Sequence, residues 1–392
     1  MKMTINYKAD IPRKMVSLFS GIGGFELAFQ RVGISTTLMC EIDPIAQQIL
    51  KSNLPNIELT NDICDLERLP EGTDILCAGF PCQDLSSIGV KKGLDGTRSS
   101  LVREVFRLLR QDKVEWVIFE NVPYMLHLKK GETIRTIVET LEELGYSWAY
   151  RTIDSMAFVP QHRCRVFIVA SLHNDPKDVL LSGNSLKKQG MITTETFSEP
   201  CGFYWTEGKY ALGLYQNGIP TLKVGSSIGI ASPPAIAFPY GMVASPDIRD
   251  AERFQGFPVD WTKPAEDIAK PSARWKLVGN AVTVNTVAWI ASKIVHAEQY
   301  NPAKDKKLKD KDKWPKAAWG NNGTRYSASV SEYPVERDEI LLLDFLKYPC
   351  KPLSPKAAKG FEHRLSMGKV RCPQFFRDAI HEYVEGKDEE NG

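Results

Sequence analysis

The chain is poor in the groups that mark a metal centre or a secreted scaffold. Its 392 residues include six histidines, and none of its eight cysteines stands in a CxxC pair. A metal site is therefore not expected. Long apolar runs are missing too: none approaches the roughly 18–20 residues of a membrane span. Residues 1–14 carry charges but no apolar signal core, so reduced thiols and a cytoplasmic, membrane-free location are expected. Charge of one sign is also lacking. The 50 Lys plus Arg face 48 Asp plus Glu, a net of +2. That excludes a histone-like polycation and leaves any nucleic-acid contact to local patches. A GxGxxG fingerprint is absent, which counts against a nicotinamide oxidoreductase. What remains is an ordinary globular composition, 43% hydrophobic and 25% charged, in a chain long enough for two or three packed regions.

Residues 1–170 alternate apolar runs with amphipathic segments. The pattern predicts strands near 15–19, 36–40, 74–78, 116–119 and 166–169, with helices near 24–31, 44–52, 99–110 and 132–144. This is an α/β pattern of a doubly wound, mostly parallel sheet, whose ligands sit at the carboxyl ends of the strands. Residues 171–248 lose the rhythm: nine Gly and seven Pro fall between 171 and 250, and a small irregular domain is expected. Residues 249–299 return to a helical pattern that completes the first domain. Seven Lys and three Asp between 301 and 316 read as a solvated linker. The remainder of 300–392 reads as a C-terminal extension with helices near 337–346 and 373–384.

Four loops carry chemistry. Ser20-Gly21-Ile22-Gly23-Gly24 follows the first strand and opens a helix, where glycines let a ligand approach the backbone. Glu41 ends the next strand, where a carboxylate can bind ribose hydroxyls, and Asp62 comes before the strand near 74–78; a solvated Glu41 and a helix-capping Asp62 are the plainer readings. Gly79-Phe80-Pro81-Cys82-Gln83 puts a thiol beyond a strand end, where a nucleophile belongs. Glu120-Asn121 closes a further apolar run, so a half-buried carboxyl able to donate to a ring nitrogen is expected. In Gln161-His162-Arg163-Cys164-Arg165, alternation puts both arginines on one side, facing Glu120 or a base oxygen.

These segments, with Glu252-Arg253-Phe254-Gln255-Gly256-Phe257-Pro258 and Val278-Gly279-Asn280-Ala281-Val282, stand in the order seen in DNA (cytosine-5) methyltransferases. The chain resembles a bacterial modification enzyme of that family over about residues 13–299. The resemblance implies a Rossmann-like methyltransferase fold. It also implies methyl transfer from S-adenosylmethionine to carbon 5 of a cytosine flipped out of duplex DNA. Cys82 would add to carbon 6, Glu120 would engage N3, Arg165 would hold O2, and Arg163 would orient Glu120. Pro81, Gln83 and Asn121 would position these groups. Phe19, Gly21, Gly23, Glu41, Asp62, Asn280 and Val282 would bind the cofactor. Ser86, Ser87, Ile88, Lys91, Lys92 and Arg98 resemble the family's mobile DNA-contacting loop. Residues 171–248 would read the sequence, with Thr221 and Lys223 at a Thr-Leu pair, and with Lys209, Gln216 and Asn217 as further candidates. A monomer paired with a cognate restriction endonuclease is the implied setting. An RNA cytosine methyltransferase is the competing reading, although Cys201-Gly202-Phe203 departs from that branch's Cys-Phe-Thr tripeptide. A catalytically inactive DNA-binding homologue is another, against the presence of Cys82, Glu120 and Arg165.

Overall fold

The computed structural model describes residues 13–81, 101–186, 190–192, 196–223 and 233–389. The first lobe is built on β1 (Lys14–Leu18), β2 (Ser35–Cys40), β3 (Glu58–Thr60), β4 (Ile75–Ala78), β5 (Trp116–Asn121), β6 (Ser147–Asp154) and β7 (Cys164–Ser171). Between them run α1 (Gly24–Gln30), α2 (Pro44–Asn53), α3 (Leu101–Gln111) and α4 (Glu132–Glu143). After β7 come α5 (Pro176–Leu180), then β8 (Cys201–Phe203), β9 (Tyr215–Gln216), β10 (Ala235–Ala237) and β11 (Val243–Ser245). The chain continues through α6 (Ile248–Phe254), α7 (Ala273–Asn280) and α8 (Val284–Val295). It ends with β12 (Lys306–Lys307), β13 (Ala317–Asn321), β14 (Thr324–Ser327), α9 (Leu342–Phe345), β15 (Lys351–Pro352), α10 (Pro355–Met367) and α11 (Gln374–Glu389).

Among the described residues the main sheet has ten strands, in the order β12-β14-β13-β6-β7-β5-β4-β1-β2-β3. The first five strands in sequence pair in parallel, and β7 runs antiparallel between β5 and β6. Alternation explains the two layers around it. Val16, Leu18, Leu76, Ala78, Val117 and Phe119 face α3 and α4. Met15, Ile75, Cys77, Trp116 and Ile118 face the opposite layer of α1, α2, α5 and α8. Both faces are covered, as continuous apolar strands require. This is the Rossmann-like arrangement expected, with β3 and β6 as added strands. The period missed β6 because Arg151, Thr152 and Asp154 interrupt its apolar residues while being themselves buried.

The second sheet, β15-β11-β10-β8-β9, is antiparallel. Phe361, Leu365, Phe376 and Ile380 of α10 and α11 pack on its Phe203, Ala235 and Val243. The extension thus enters both sheets. The stretch read as a linker contributes β12, and β13 pairs with β6 from Ala317↔Arg151 to Gly320↔Trp148. The helix expected over 337–346 shrinks to α9, because Leu341 and Leu343 face solvent and only Leu342 is buried. Among the described residues no helix is long and apolar enough to cross a membrane.

Candidate active site

The carboxyl ends of β1, β2, β4 and β5 open into a cavity of about 620 Å³, closed on its far side by residues 221–223 and 277–281. Phe19 and Gly21 bend the chain out of β1 with φ of 59° and 57°. For Phe19 this left-handed backbone is strained, and such strain gathers at binding sites. Gly21 needs its freedom, and a Cβ built on it would meet nothing within 4 Å. Its N–H donates to Glu41 Oε2 at 2.7 Å, and Asp43 N–H donates to Glu41 Oε1 at 2.8 Å. Burial pushes the Glu41 carboxyl up, and those two backbone bonds act against it. Asp62 also lines the cavity, and its Oδ1 accepts the Cys64 N–H at 2.9 Å, so it caps a short turn as well.

On the other side of the cavity Glu120 Oε1 lies 3.0 Å from Arg165 Nε, with the two side chains 12% and 17% exposed. A near-buried pair of this kind holds a carboxyl in one orientation. Arg163 does not make that contact. Its guanidinium is wholly buried and donates to the carbonyls of Leu222, Gly279 and Ala281 at 3.3, 3.2 and 2.8 Å. Burial, then the charge of Arg165, lower its pKa. The arginine on Glu120 is therefore Arg165, and Arg163 ties the start of β7 to residue 222 and to the C-terminal end of α7, which close the cavity. Asn121 Nδ2 donates to Phe80 O at 2.9 Å, fixing the turn that leads to Pro81 at the cavity wall.

Asn280, Thr221 and Lys223 line the same cavity. Thr221 Oγ1 donates to His162 O at 2.7 Å, and Lys223 Nζ sits 3.6 Å above the Tyr204 ring. Gly23 and Val282 do not reach the cavity. Gly23, at φ 92°, caps α1 against Leu50 and Leu54, and Val282 packs onto Gly24 in the core. Gln216 and Asn217 are buried within the small lobe, whereas Lys209 is exposed. Cys82, Gln83, Ser86, Ser87, Ile88, Lys91, Lys92 and Arg98 lie outside the described residues. The seven described cysteines all have their thiols pushed up, each chiefly by burial. None of these seven is set up as a thiolate nucleophile.

Sequence reasoning gave no role to Gln161 and overlooked Asp154. Gln161 is wholly buried and joins Leu222 N, Phe254 O and Gln255. Asp154 accepts from the N–H groups of Met156 and Arg163 and contacts His162 Nδ1 at 2.6 Å. Asp154, His162 and Cys164 lie close enough to hold a metal ion. Both carboxylate oxygens are already engaged, so Asp154 with His162 locks the turn before β7, while the Cys164 thiol donates to Glu332 Oε1 at 3.7 Å. The alternation that aims Arg163 and Arg165 at the cavity turns His162 and Cys164 the other way, and that was the available signal.

The family model for C-5 cytosine-specific DNA methylases matches residues 13–202. Type II methyltransferase M2.BsuMI of Bacillus subtilis (strain 168) is 44% identical over 360 residues, covering 89% of this chain and 92% of the relative. The chain belongs to the C-5 cytosine-specific DNA methylase family. Type II methyltransferase M.HhaI of Haemophilus parahaemolyticus is 26% identical over 325 residues, 74% of this chain and 96% of its own. In fold alone, the S. pombe Dnmt2 methyltransferase is similar, with a TM-score of 0.54 at 15% identity over 72% of this chain and 98% of its own. The chain is thus a DNA cytosine-5 methyltransferase. The match is to DNA methylases, and the oxidoreductase reading falls away.

Proposed function

We propose that this methylase modifies one cytosine within a specific duplex sequence, using Cys82 as nucleophile, as the modification partner of a restriction endonuclease. The relatives' names, both Type II methyltransferases, support that setting. The observation that carries the chemistry is the Glu120–Arg165 pair, which lines one cavity with Glu41 and Asp62.

The cavity's other half fits S-adenosylmethionine, through the open space above Gly21 and the carboxylates of Glu41 and Asp62. Bound there, the cofactor supplies an electrophilic methyl group. Phe19 would flank its adenine, and Asn280 would close the pocket. Carbon 5 of cytosine is too weak a nucleophile unaided. The Cys82 thiolate adds to carbon 6, and the electron pair of the 5,6 double bond becomes available at carbon 5. Glu120 hands a proton to N3 as charge builds there, with Arg165 holding both the carboxyl and the base O2. After methylation a water molecule takes the carbon 5 proton, the electron pair of that C–H bond re-forms the 5,6 double bond and expels the Cys82 thiolate, and N3 returns its proton to Glu120. Arg163 fixes the loops around this centre, Asn121 the nucleophile's turn. Gln83 positions the base, and Ser86, Ser87, Ile88, Lys91, Lys92 and Arg98 hold the DNA. Residues 171–248, with Thr221 and Lys223 at the cavity, read the flanking bases.

Bisulfite sequencing of DNA from a host expressing the chain tests this. One sequence context methylated at carbon 5 is expected. Cys82→Ala should abolish the signal, and Glu120→Gln should slow methylation by about 100-fold or more. Undiminished methylation by Cys82→Ala would overturn the proposal.

A further inference from the structure

The Lys-rich stretch is anchored along the sheet edge. Asp305 accepts from Trp319 Nε1 and Tyr300 Oη, each at 2.7 Å. Leu308 packs on the main core, and the buried Trp314 donates to Gly131 O at 3.0 Å. Between these anchors Lys304, Lys306, Lys307, Lys309, Lys311 and Lys313 are exposed. Among the described residues none of the six forms an ion pair. Of the interleaved acids only Asp305 points inward. Asp312, which accepts the Lys309 N–H at 2.8 Å, and Asp310, 3.6 Å from Arg135, stay exposed beside the six lysines, so the lysines still outnumber the exposed acids of the stretch.

The strand register gives this edge a position relative to the site. One row of pairs runs Phe119↔Ile168↔Tyr150↔Ala318↔Ser327↔Lys306. Lys306 is level with the residue before Glu120, five strands away, which is about 24 Å at the usual strand spacing. β12 runs opposite to β5, so Lys304 lies still nearer the carboxyl edge where the cavity opens. At about 3.4 Å per base pair, 24 Å spans about seven base pairs.

We propose that this lysine edge is a second DNA-contact site, which binds backbone phosphates about seven base pairs from the flipped cytosine. It rests on the duplex substrate proposed above and adds a flank contact made by the extension. Lysines on an edge strand also guard it from pairing with other strands, and the test separates the two roles.

The full chain would be titrated, over a range of salt, with duplexes of about 12 and about 36 base pairs centred on the sequence mapped by bisulfite. Only the longer duplex reaches the edge. The unmodified protein is expected to bind the longer duplex more tightly and with a steeper salt dependence. K304Q/K306Q/K307Q should lose that advantage, its slope falling by about 0.9 for each phosphate no longer neutralised. Binding and methylation of the short duplex should not change, and K304R/K306R/K307R should behave as the unmodified chain. Equal binding of the long duplex by the Gln variant, or equal weakening on both lengths, would overturn the proposal. So would a hydroxyl-radical footprint of the unmodified protein with no protection near the seventh base pair. Absence of any methylated site would instead refute the duplex substrate itself.

Discussion

Asn121 couples two loops with one amide: its backbone belongs to β5 beside Glu120, and its Nδ2 holds the carbonyl of Phe80. The residue types of such a site are legible in sequence, since Glu120, Arg163 and Arg165 stand in short motifs. Which arginine meets Glu120 is not, because Arg163 is claimed by carbonyls at 222, 279 and 281, far along the chain. Glu26 is a second residue that only the fold reveals. It lies on α1, is 2% exposed, and neither of its carboxylate oxygens has a hydrogen-bond partner among the described residues. Burial raises its pKa from 4.5 to about 7, with Ser17 and Ser20 near enough to ease the shift only in part. An acid raised on folding is most favourable when protonated, so its contribution is fully present below about pH 4.5 and is lost as the pH rises through about 7. Thermal melts between pH 5 and pH 8 should show the unmodified chain losing stability relative to Glu26→Gln as pH rises. Parallel melting profiles would contradict this assignment.

At the scale of elements, β1, β2, β4 and β5 were readable because their apolar runs are continuous and their loops carry Gly, Pro and acids. The short β3 was not, nor were β6 and α10. β6 hides Arg151 in the core, where it donates to the carbonyls of Leu180, Gly183 and Ser331. The apolar stripe of α10 is only Ala358, Phe361 and Leu365, with Gly360 between them. The small sheet depends on close backbone approach. A Cβ on Gly202 would lie 2.3 Å from the Gly218 carbonyl oxygen and 2.7 Å from Ile219 Cα, and backbone atoms yield little. Gly202→Ala should cost about 1–3 kcal/mol and raise hydrogen exchange in β8 and β9 before it does so in β4 or β5. Unchanged exchange in β8 and β9 would show that the sheet can shift.

The whole molecule is held together by its extension, which completes the main sheet through β13 and covers the small sheet with α10 and α11. Composition hid this, since a run rich in Lys and Asp looks solvated whether or not Trp314 and Leu308 pin it. Ending the chain at residue 300 should expose the edge of β6 and the apolar face of the small sheet, giving an aggregated product by sedimentation. A soluble, methylating 1–300 chain would refute that view. The same arrangement bears on timing. Tyr150 Oη meets the carbonyl of Pro315, 165 residues later, and Ala244 pairs with Pro352. On a ribosome adding about 5–20 residues per second, the strands that receive these partners wait about 5–30 seconds for them. Methylation is therefore expected to begin only with finished chains, and a message cut short before residue 350 is expected to yield no partly working enzyme.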